Sequence, residues 1–145
     1  MEIAIIASDK RKELMTEFCM AYCGILSRHH ICATGTTGKY LSDAVGLNIE
    51  MLLAGSHGGT EQIAARISYN EIDLLLYFRD TADDKEYSDA QLNLVRMCDK
   101  QNIPVATNIA TAEALILALD RGDLDWRMLV RENEEEQKER IKNLG

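Results

Sequence analysis

The sequence predicts an α/β fold in which five parallel strands form one sheet covered by helices on both sides, a three-layer α/β/α arrangement. Three observations lead to this prediction. Short apolar segments alternate with longer amphipathic segments five times along the chain. The apolar segments, such as residues 2–7 and 72–78, place hydrophobic residues at successive positions, as in strands buried on both faces. Polar or glycine-rich residues follow each apolar segment, as expected at the ends of parallel strands.

One domain accounts for most of the chain. Its 145 residues fit a single domain, and we assign residues 1–131 to that domain and residues 132–145 to a charged tail. The first helix is expected to pack through a stripe of residues at i+4 steps, Leu14, Phe18, Tyr22 and Leu26. The predicted strands cover residues 2–7, 30–33, 48–53, 72–78 and 105–107. The predicted helices cover residues 10–26, 37–45, 60–69, 89–101 and 111–119.

Composition argues against several classes of function. With 46% hydrophobic residues the chain can bury a core, and its net charge of -8 disfavours general nucleic-acid binding, which needs a positive surface. No apolar segment is long enough to span a membrane, and the first residues lack a basic leader, so we expect a cytoplasmic protein without a membrane partner. The cysteines lack the spacing of a metal site and are expected to be reduced and buried. They are Cys19, Cys23, Cys32 and Cys98.

A turn rich in glycine and threonine lies between the second predicted strand and the helix that follows it. Residues 33–38 read Ala-Thr-Gly-Thr-Thr-Gly. Glycine lets the backbone approach a ligand closely, and a helix start offers free N–H groups and the positive end of a dipole. The turn lacks the Gly-Lys-Ser/Thr ending of a Walker loop. It therefore indicates either a phosphate or carboxylate site or an ordinary turn from strand to helix.

Polar residues follow all five predicted strands. In a parallel α/β sheet these strand ends meet at one edge, where ligands bind. Few other short polar or glycine-rich segments occur in the chain, so their convergence predicts a site for a small anionic ligand. The segments are Ser8-Asp9, Thr34 to Thr37, Gly55 to Thr60, Arg79-Asp80 and Thr107-Asn108.

Three of these segments, in this order and at this spacing, resemble the methylglyoxal synthase family, and the similarity covers about residues 1–131. They are residues 33–38, the pattern Gly55-x-x-Gly58-Gly59-x-x-Gln62, and residues 103–108, Ile-Pro-Val-Ala-Thr-Asn. The resemblance implies a five-stranded parallel sheet and usually a homohexamer. It also implies an enzyme that converts dihydroxyacetone phosphate to methylglyoxal and inorganic phosphate through an enediolate, without a metal or an organic cofactor.

The resemblance assigns a phosphate-binding role to several residues. Lys12 matches the family's phosphate lysine, and the second glycine-rich loop contributes Ala54 and Gly55. Asp9 and Asp80 match acidic positions after the first and fourth strands. His57, in the second loop, is expected either to face the ligand or to be an ordinary solvated histidine. The binding turn is formed by Thr34, Gly35, Thr36 and Thr37.

The sequence departs from the family at the reactive positions. The family reads Gly-Gly-Asp-Gln-Gln where this chain has residues 58–62, so Thr60 replaces the aspartate that is the proposed base. Thr60 is too weak a base near neutral pH, and Glu61 is a possible substitute, although one residue turns about 100° around a helix. Ser8 and Tyr87 occupy positions where the family has histidines, and Ala90 replaces an aspartate.

Three functions are compatible with these residues. The first is a working methylglyoxal synthase whose base has moved to Glu61 or Asp89. The second is a binding or regulatory domain for a phosphorylated metabolite, since related domains regulate carbamoyl-phosphate synthetase. The third is a related reaction on another phosphorylated substrate. Arg127 and Arg131 are expected on the surface, with phosphate binding across a subunit contact as the alternative.

Overall fold

The structure is a computed structural model that describes residues 1–82 and 89–144, without the side chains of Asp89 and Ala90. Five parallel strands form one sheet in the order β3-β2-β1-β4-β5, which confirms the predicted fold class. From β1 the chain proceeds outward on one side of the sheet and then crosses to the other. The strands are β1 Glu2–Ala7, β2 His30–Ala33, β3 Ile49–Met51, β4 Leu74–Phe78 and β5 Val105–Ala106.

The central strand β1 is buried on both faces, as its continuous apolar sequence predicts. Successive side chains of a strand point to opposite faces, so Ile3 and Ile5 join one hydrophobic cluster while Ala4 and Ile6 join another. Strand β4 divides in the same way. The core therefore has two halves, one on each side of the sheet.

Helices cover both halves of this core. Residues of α1, α3 and α6 pack in the first cluster, and residues of α4 and α5 pack in the second. There are also two short 3-10 turns. The turn Asp9–Arg11 follows β1, and the turn Gly55–His57 precedes α4. The helices are α1 Lys12–Ala21, α2 Cys23–Leu26, α3 Gly35–Val45, α4 Gly59–Ser68, α5 Asp89–Gln101, α6 Ile109–Asp120 and α7 Trp126–Leu144.

The helix predicted over residues 10–26 is interrupted. Tyr22 has φ −113° and ψ 21°, outside helical geometry, and separates α1 from α2. The most deeply buried face of α1 is also displaced by one residue from the predicted stripe, since Met15 and Cys19 are fully buried while Leu14 is only partly so. The i+4 pattern located the right side of the helix but not its centre.

The prediction for the cysteines is correct at three positions and wrong at one. All four are free thiols, and Cys19, Cys32 and Cys98 are buried whereas Cys23 is exposed. Burial raises the pKa of Cys19 and of Cys98 to about 12, so both are protonated and unreactive at neutral pH. Cys23 is exposed because the chain bends at Tyr22, so that Cys19 and Cys23 no longer share one helix face.

The surface position expected for Arg127 is wrong. Arg127 is 3% exposed, and its Nε donates to Oδ1 of Asp73 at 3.1 Å. Its other N–H groups donate to the carbonyl oxygens of Ile72, Gln101 and Asn102 and to Oδ1 of Asn70. All these partners lie at the amino end of the sheet, so the hydrogen bonds of Arg127 hold α7 against the segments that precede β4 and β5. Arg131 also contacts Asp73.

Beyond Arg131 the side chains of α7 are exposed up to Leu144. This helix is strongly charged, and none of the helices within residues 1–82 and 89–144 is both long and apolar enough to cross a membrane.

Candidate functional site

A cavity of about 370 Å³ opens at the carboxyl edge of the sheet, where β1 and β4 lie side by side. The helices that follow these two strands cover opposite faces of the sheet. The segments that leave the strand ends therefore turn away from each other and leave a crevice of the kind in which α/β proteins bind ligands. The lining residues are Ile6, Ala7, Ser8, Asp9, Lys12, Thr34, Thr36, Thr37, Ala54, Gly55, Ser56, Thr60, Tyr77 and Gln91. Nine of the predicted site residues are therefore together at one cavity.

The threonine-rich turn forms one wall as the start of α3. Thr34 is extended, with φ −60° and ψ 147°, and the helix begins at the next residue, two residues earlier than predicted. Gly35 does not line the cavity, but its N–H donates to the carbonyl of Leu53 at 3.0 Å, and a Cβ there would be 2.9 Å from Leu52 O. Glycine is thus required where the turn meets the chain after β3. The amides of Thr36 and Thr37 have no acceptor within the helix and are available to an anion.

The second glycine-rich loop forms the neighbouring wall. Gly58 has φ 106°, a conformation that favours glycine, and Gly59 follows as the first residue of α4. A Cβ on Gly59 would be only 1.9 Å from the carbonyl oxygen of Leu53. The N–H of Gly59 donates to Ala54 O at 3.0 Å, which folds the loop so that Thr60 faces the cavity. A second helix start therefore points at the same space as α3.

Lys12 supplies the positive charge. It is 8% exposed, and its Nζ donates to the carbonyl of Ala7 at 3.1 Å and to Oδ1 of Asp9 at 2.7 Å. An ammonium group has three donors, so one N–H remains for a ligand. The hydrogen bond from Lys12 and its charge hold the pKa of Asp9 below its ordinary value. Asp9 is thus charged at neutral pH, and the cavity contains a basic and an acidic side chain together.

The position of Ser8 fits a ligand in this space. Its N–H donates to Phe78 O at 2.9 Å, which joins the end of β1 to β4. Its Oγ is buried and has no hydrogen-bond partner among the residues that the structure describes. Buried hydroxyl groups are nearly always hydrogen-bonded, so this oxygen, on the cavity wall, is suited to a polar ligand.

Besides Gly35, three further predicted site residues lie apart from the cavity lining. Glu61 is exposed and follows Thr60 around α4, and His57 is exposed with Nδ1 at 2.9 Å from Ser56 Oγ. Asp80 is buried, accepts from the N–H of Ala82 at 3.0 Å and lies 3.7 Å from Lys10 Nζ. Tyr87 lies outside the described residues, as does the side chain of Asp89. The roles predicted for these residues stay predictions.

The polar residues after β5 serve another purpose. Asn108 caps α6, since its side chain accepts from Thr111 N at 3.1 Å, and the helix begins at Ile109, two residues earlier than predicted. Thr107 and Asn108 line a separate cavity of about 110 Å³ with Arg11 and Arg79.

Sequence reasoning missed five residues of the cavity, which are Ile6, Ala7, Ser56, Tyr77 and Gln91. Tyr77 lies within an apolar strand and Gln91 within a predicted helix, so neither belongs to the polar segments that follow the predicted strands. The available signal was topological: Tyr77 is the second-last residue of β4 and Gln91 the third residue of the next helix, and both positions belong to the ligand-binding edge.

The comparisons with known proteins show the family of this chain. A family model described as "MGS-like domain" matches residues 15–107. Methylglyoxal synthase from Caldicellulosiruptor saccharolyticus is 52% identical over 130 residues, which cover 90% of this chain and 92% of that protein. This chain belongs to the methylglyoxal synthase-like family. The resemblance seen in the three sequence segments is thereby confirmed.

Further members of the methylglyoxal synthase-like family match over three quarters of their length or more. Methylglyoxal synthase from Listeria welshimeri is 46% identical over 134 residues, covering 92% of this chain and all of that protein. The crystal structure of methylglyoxal synthase from Elizabethkingia anophelis superposes with a TM-score of 0.72 at 29% identity, covering 79% of this chain and 76% of that chain.

Proposed function

We propose that this protein binds dihydroxyacetone phosphate in the cavity at the carboxyl edge and converts it slowly to methylglyoxal and inorganic phosphate. The observation that carries the proposal is the convergence of a buried lysine, threonine hydroxyls and two helix starts on one cavity of about 370 Å³. These are the groups that bind phosphate without a metal. The names of the relatives supply the reaction.

Lys12 and the amides of Thr36 and Thr37 hold the phosphate in this proposal. The hydroxyls of Thr34 and Thr37, which are 3.4 Å apart, and the backbone at Gly55 complete the phosphate site. With the phosphate fixed there, the three-carbon portion extends toward β4. Positioning of this kind supplies part of the rate enhancement, because the translational and rotational entropy needed to bring the reacting groups together is lost on binding and not in the chemical step.

A base must then remove a proton from the hydroxymethyl carbon next to the carbonyl. The electron pair of that C–H bond moves onto the carbonyl oxygen and gives an enediolate, which expels phosphate from the carbon on the other side. Asp9 is the carboxylate that lines the described part of the cavity, and we assign the base to it. Because Lys12 lowers the pKa of Asp9, Asp9 is a weak base and turnover is slow.

A methylglyoxal release assay with dihydroxyacetone phosphate tests the proposal. Wild-type protein should release methylglyoxal above the spontaneous background, and Asp9→Asn should lose about 10²- to 10⁴-fold in kcat. Glu61→Gln is the matched control, since Glu61 is exposed and outside the lining, and it should keep wild-type activity. Loss of activity in Glu61→Gln with full activity in Asp9→Asn would move the base to Glu61.

A second function is favoured by one observation, the threonine at position 60 of the lining where the family resemblance expects the base. A binding or regulatory domain for a phosphorylated metabolite would keep the phosphate site without the chemistry. Tight binding of dihydroxyacetone phosphate or phosphate, with release no faster than background, would establish it. Failure to bind either compound would exclude both functions.

We also propose a homo-oligomer, a hexamer by resemblance, formed by residues 1–131, with residues 132–145 as a charged extension. Three large apolar side chains on α3 and in or after β3, Tyr40, Met51 and Leu53, are more than half exposed, and contacts between copies of the chain would remove them from water. Light scattering after size exclusion should give a hexamer for the full chain and for a chain ending at Arg131. A monomeric wild-type protein would contradict the proposal.

A further inference from the structure

The phosphate site leaves one side of the cavity without a role. The lysine and threonine groups come from the ends of β1 and β2, whereas Tyr77 and Gln91 come from β4 and from α5, the helix that follows β4. Tyr77 lies opposite Ile6 in the register of β4 with β1. This side therefore faces the part of a ligand that extends beyond its phosphate.

Both residues on this side are uncharged hydrogen-bonding groups. Tyr77 is 4% exposed, and Gln91 is the third residue of α5. Gln91 corresponds in position to Thr36 of α3 and Thr60 of α4, which are also in the first turn of their helices and line the same cavity. Three helix starts thus meet here, and their combined dipoles favour negative charge.

We propose that Gln91, together with Tyr77, donates hydrogen bonds to the carbonyl oxygen of the substrate and to the enediolate oxygen that forms from it. The inference rests on the proposed function and extends it to the reacting end of the substrate. The reaction places negative charge on this oxygen, and neutral donors on a buried wall stabilise such charge without being protonated or deprotonated themselves. An amide N–H and a phenolic O–H are donors of this kind.

The resemblance to the family makes this role necessary. The two histidines that it implies, at positions 8 and 87, are serine and tyrosine in this chain. An imidazole can donate to an oxyanion, so its absence at these two positions leaves that task to other donors on the cavity wall. Gln91 and Tyr77 are the two on the β4 side of the lining that the structure describes.

The experiment separates recognition of the carbonyl from recognition of the phosphate. Three compounds are titrated by calorimetry into wild type and into Gln91→Leu: inorganic phosphate, glycerol 3-phosphate, which lacks the carbonyl, and dihydroxyacetone phosphate. In Gln91→Leu the first two should bind within about 2-fold of wild type, while dihydroxyacetone phosphate should bind about 3- to 10-fold more weakly. Its kcat in the release assay should fall by about 10-fold or more.

Asn93→Leu is the matched control, because Asn93 lies on the same helix, is exposed and does not line the cavity. It should bind all three compounds as wild type does. Tyr77→Phe removes only the hydroxyl and should lower the affinity for dihydroxyacetone phosphate alone, so it serves if Gln91→Leu does not fold.

The outcomes distinguish this inference from the proposed function. A wild-type protein that binds none of the three compounds would overturn both. Phosphate binding together with an unchanged preference for dihydroxyacetone phosphate in Gln91→Leu and Tyr77→Phe would overturn the inference alone. A weaker affinity for all three compounds in Gln91→Leu would also overturn it, since Gln91 would then support the site as a whole.

Discussion

At the level of single residues, the phosphate site places a positive and a negative side chain side by side. Lys12 is buried, whereas the side chain of Asp9 is 96% exposed at the same cavity. The carboxylate cancels part of the attraction that Lys12 exerts on an anion, so in the proposed site we expect most of the phosphate binding to come from backbone N–H groups and hydroxyls. Asp9 is both the proposed base and the ion-pair partner of Lys12. Removal of its charge should therefore strengthen the binding of an anion and slow the turnover of the substrate.

Asp9→Asn should therefore bind inorganic phosphate about 2- to 5-fold more tightly while it loses turnover. The substitution removes a negative charge at an exposed position, which has a modest effect, and the asparagine oxygen can still accept from Lys12. Titration calorimetry at low salt measures the change, and high salt should reduce it. Weaker binding would mean that the charge of Asp9 is needed to hold Lys12 in place.

Glu50 provides a test of pH dependence at another position. The hydrogen bonds from Arg66 lower the pKa of Glu50 from its ordinary value of 4.5, so this pair stabilises the fold above that pH. The stabilisation is lost as the pH falls through the lowered pKa, because the carboxylate is then protonated. Both side chains are partly exposed, 40% and 28%, so the contribution is below about 1 kcal/mol.

Glu50→Gln should thus have a lower free energy of unfolding than wild type at pH 7, and the difference should shrink in acid. Urea unfolding across this pH range measures it. Glu113→Gln is the control, since Glu113 is exposed on α6 without an ion-pair partner in the described part of the chain. A difference that grows as the pH falls would contradict the assignment.

At the level of secondary structure, the site is made by the starts of helices that follow parallel strands. Helices α3 and α4 begin at Gly35 and Gly59, and at both points a Cβ would collide with backbone atoms after β3. The close approach brings the two helix starts to the same cavity. Glycine is therefore a requirement of the site and not only of the turn.

Gly59→Ala should lower the free energy of unfolding by about 2 kcal/mol or more, because the new methyl group must displace the Leu53 backbone. It should also weaken phosphate binding, since the loop that carries Gly55, which is joined to Gly59 through Ala54 O, would shift. Gly24→Ala is a matched control: its Cβ would have no neighbour within 4 Å, and alanine favours a helix by up to about 1 kcal/mol. Thermal unfolding distinguishes the two, and equal stability would refute the steric argument.

For the molecule as a whole, the two edges of the sheet have separate tasks. The carboxyl edge holds the cavity, and the amino edge is held together by Asp73, which is fully buried, and by the arginines of α7. Asp73 also accepts from the N–H of Glu2 at 2.8 Å. The C-terminal helix thus stabilises the fold from the side opposite to the site.

Arg127→Met should lower the free energy of unfolding by about 3 kcal/mol or more, because it removes the buried one of the two arginines that pair with Asp73 and takes a donor from several carbonyl groups. Phosphate binding should be unchanged at temperatures where the variant is folded. Arg28→Met, which breaks the exposed pair with Asp120, should cost less than about 1 kcal/mol. Urea unfolding compares them, and similar values would show that Arg127 is not needed.

The pattern of residues was sufficient for the fold class, the strand positions and nine of the residues that line the cavity. Apolar segments such as residues 2–7 have a local signature, and polar residues at strand ends meet because parallel strands share one edge. The break at Tyr22 and the displaced face of α1 were not predicted, since contacts with the rest of the core decide which residues are buried.

The sequence by itself determined that this chain forms a parallel α/β sheet with polar, glycine-rich turns at the ends of its strands, because these features depend on residues that are neighbours along the chain. Only the tertiary structure decided where Arg127 lies, that Glu61 is outside the cavity while Thr60 lines it, and that Tyr77 and Gln91 line it too. Those facts depend on the register of β4 with β1 and on the packing of helices against the sheet. Strand register and helix packing bring together residues that are far apart in the chain, and a local sequence pattern does not predict such contacts.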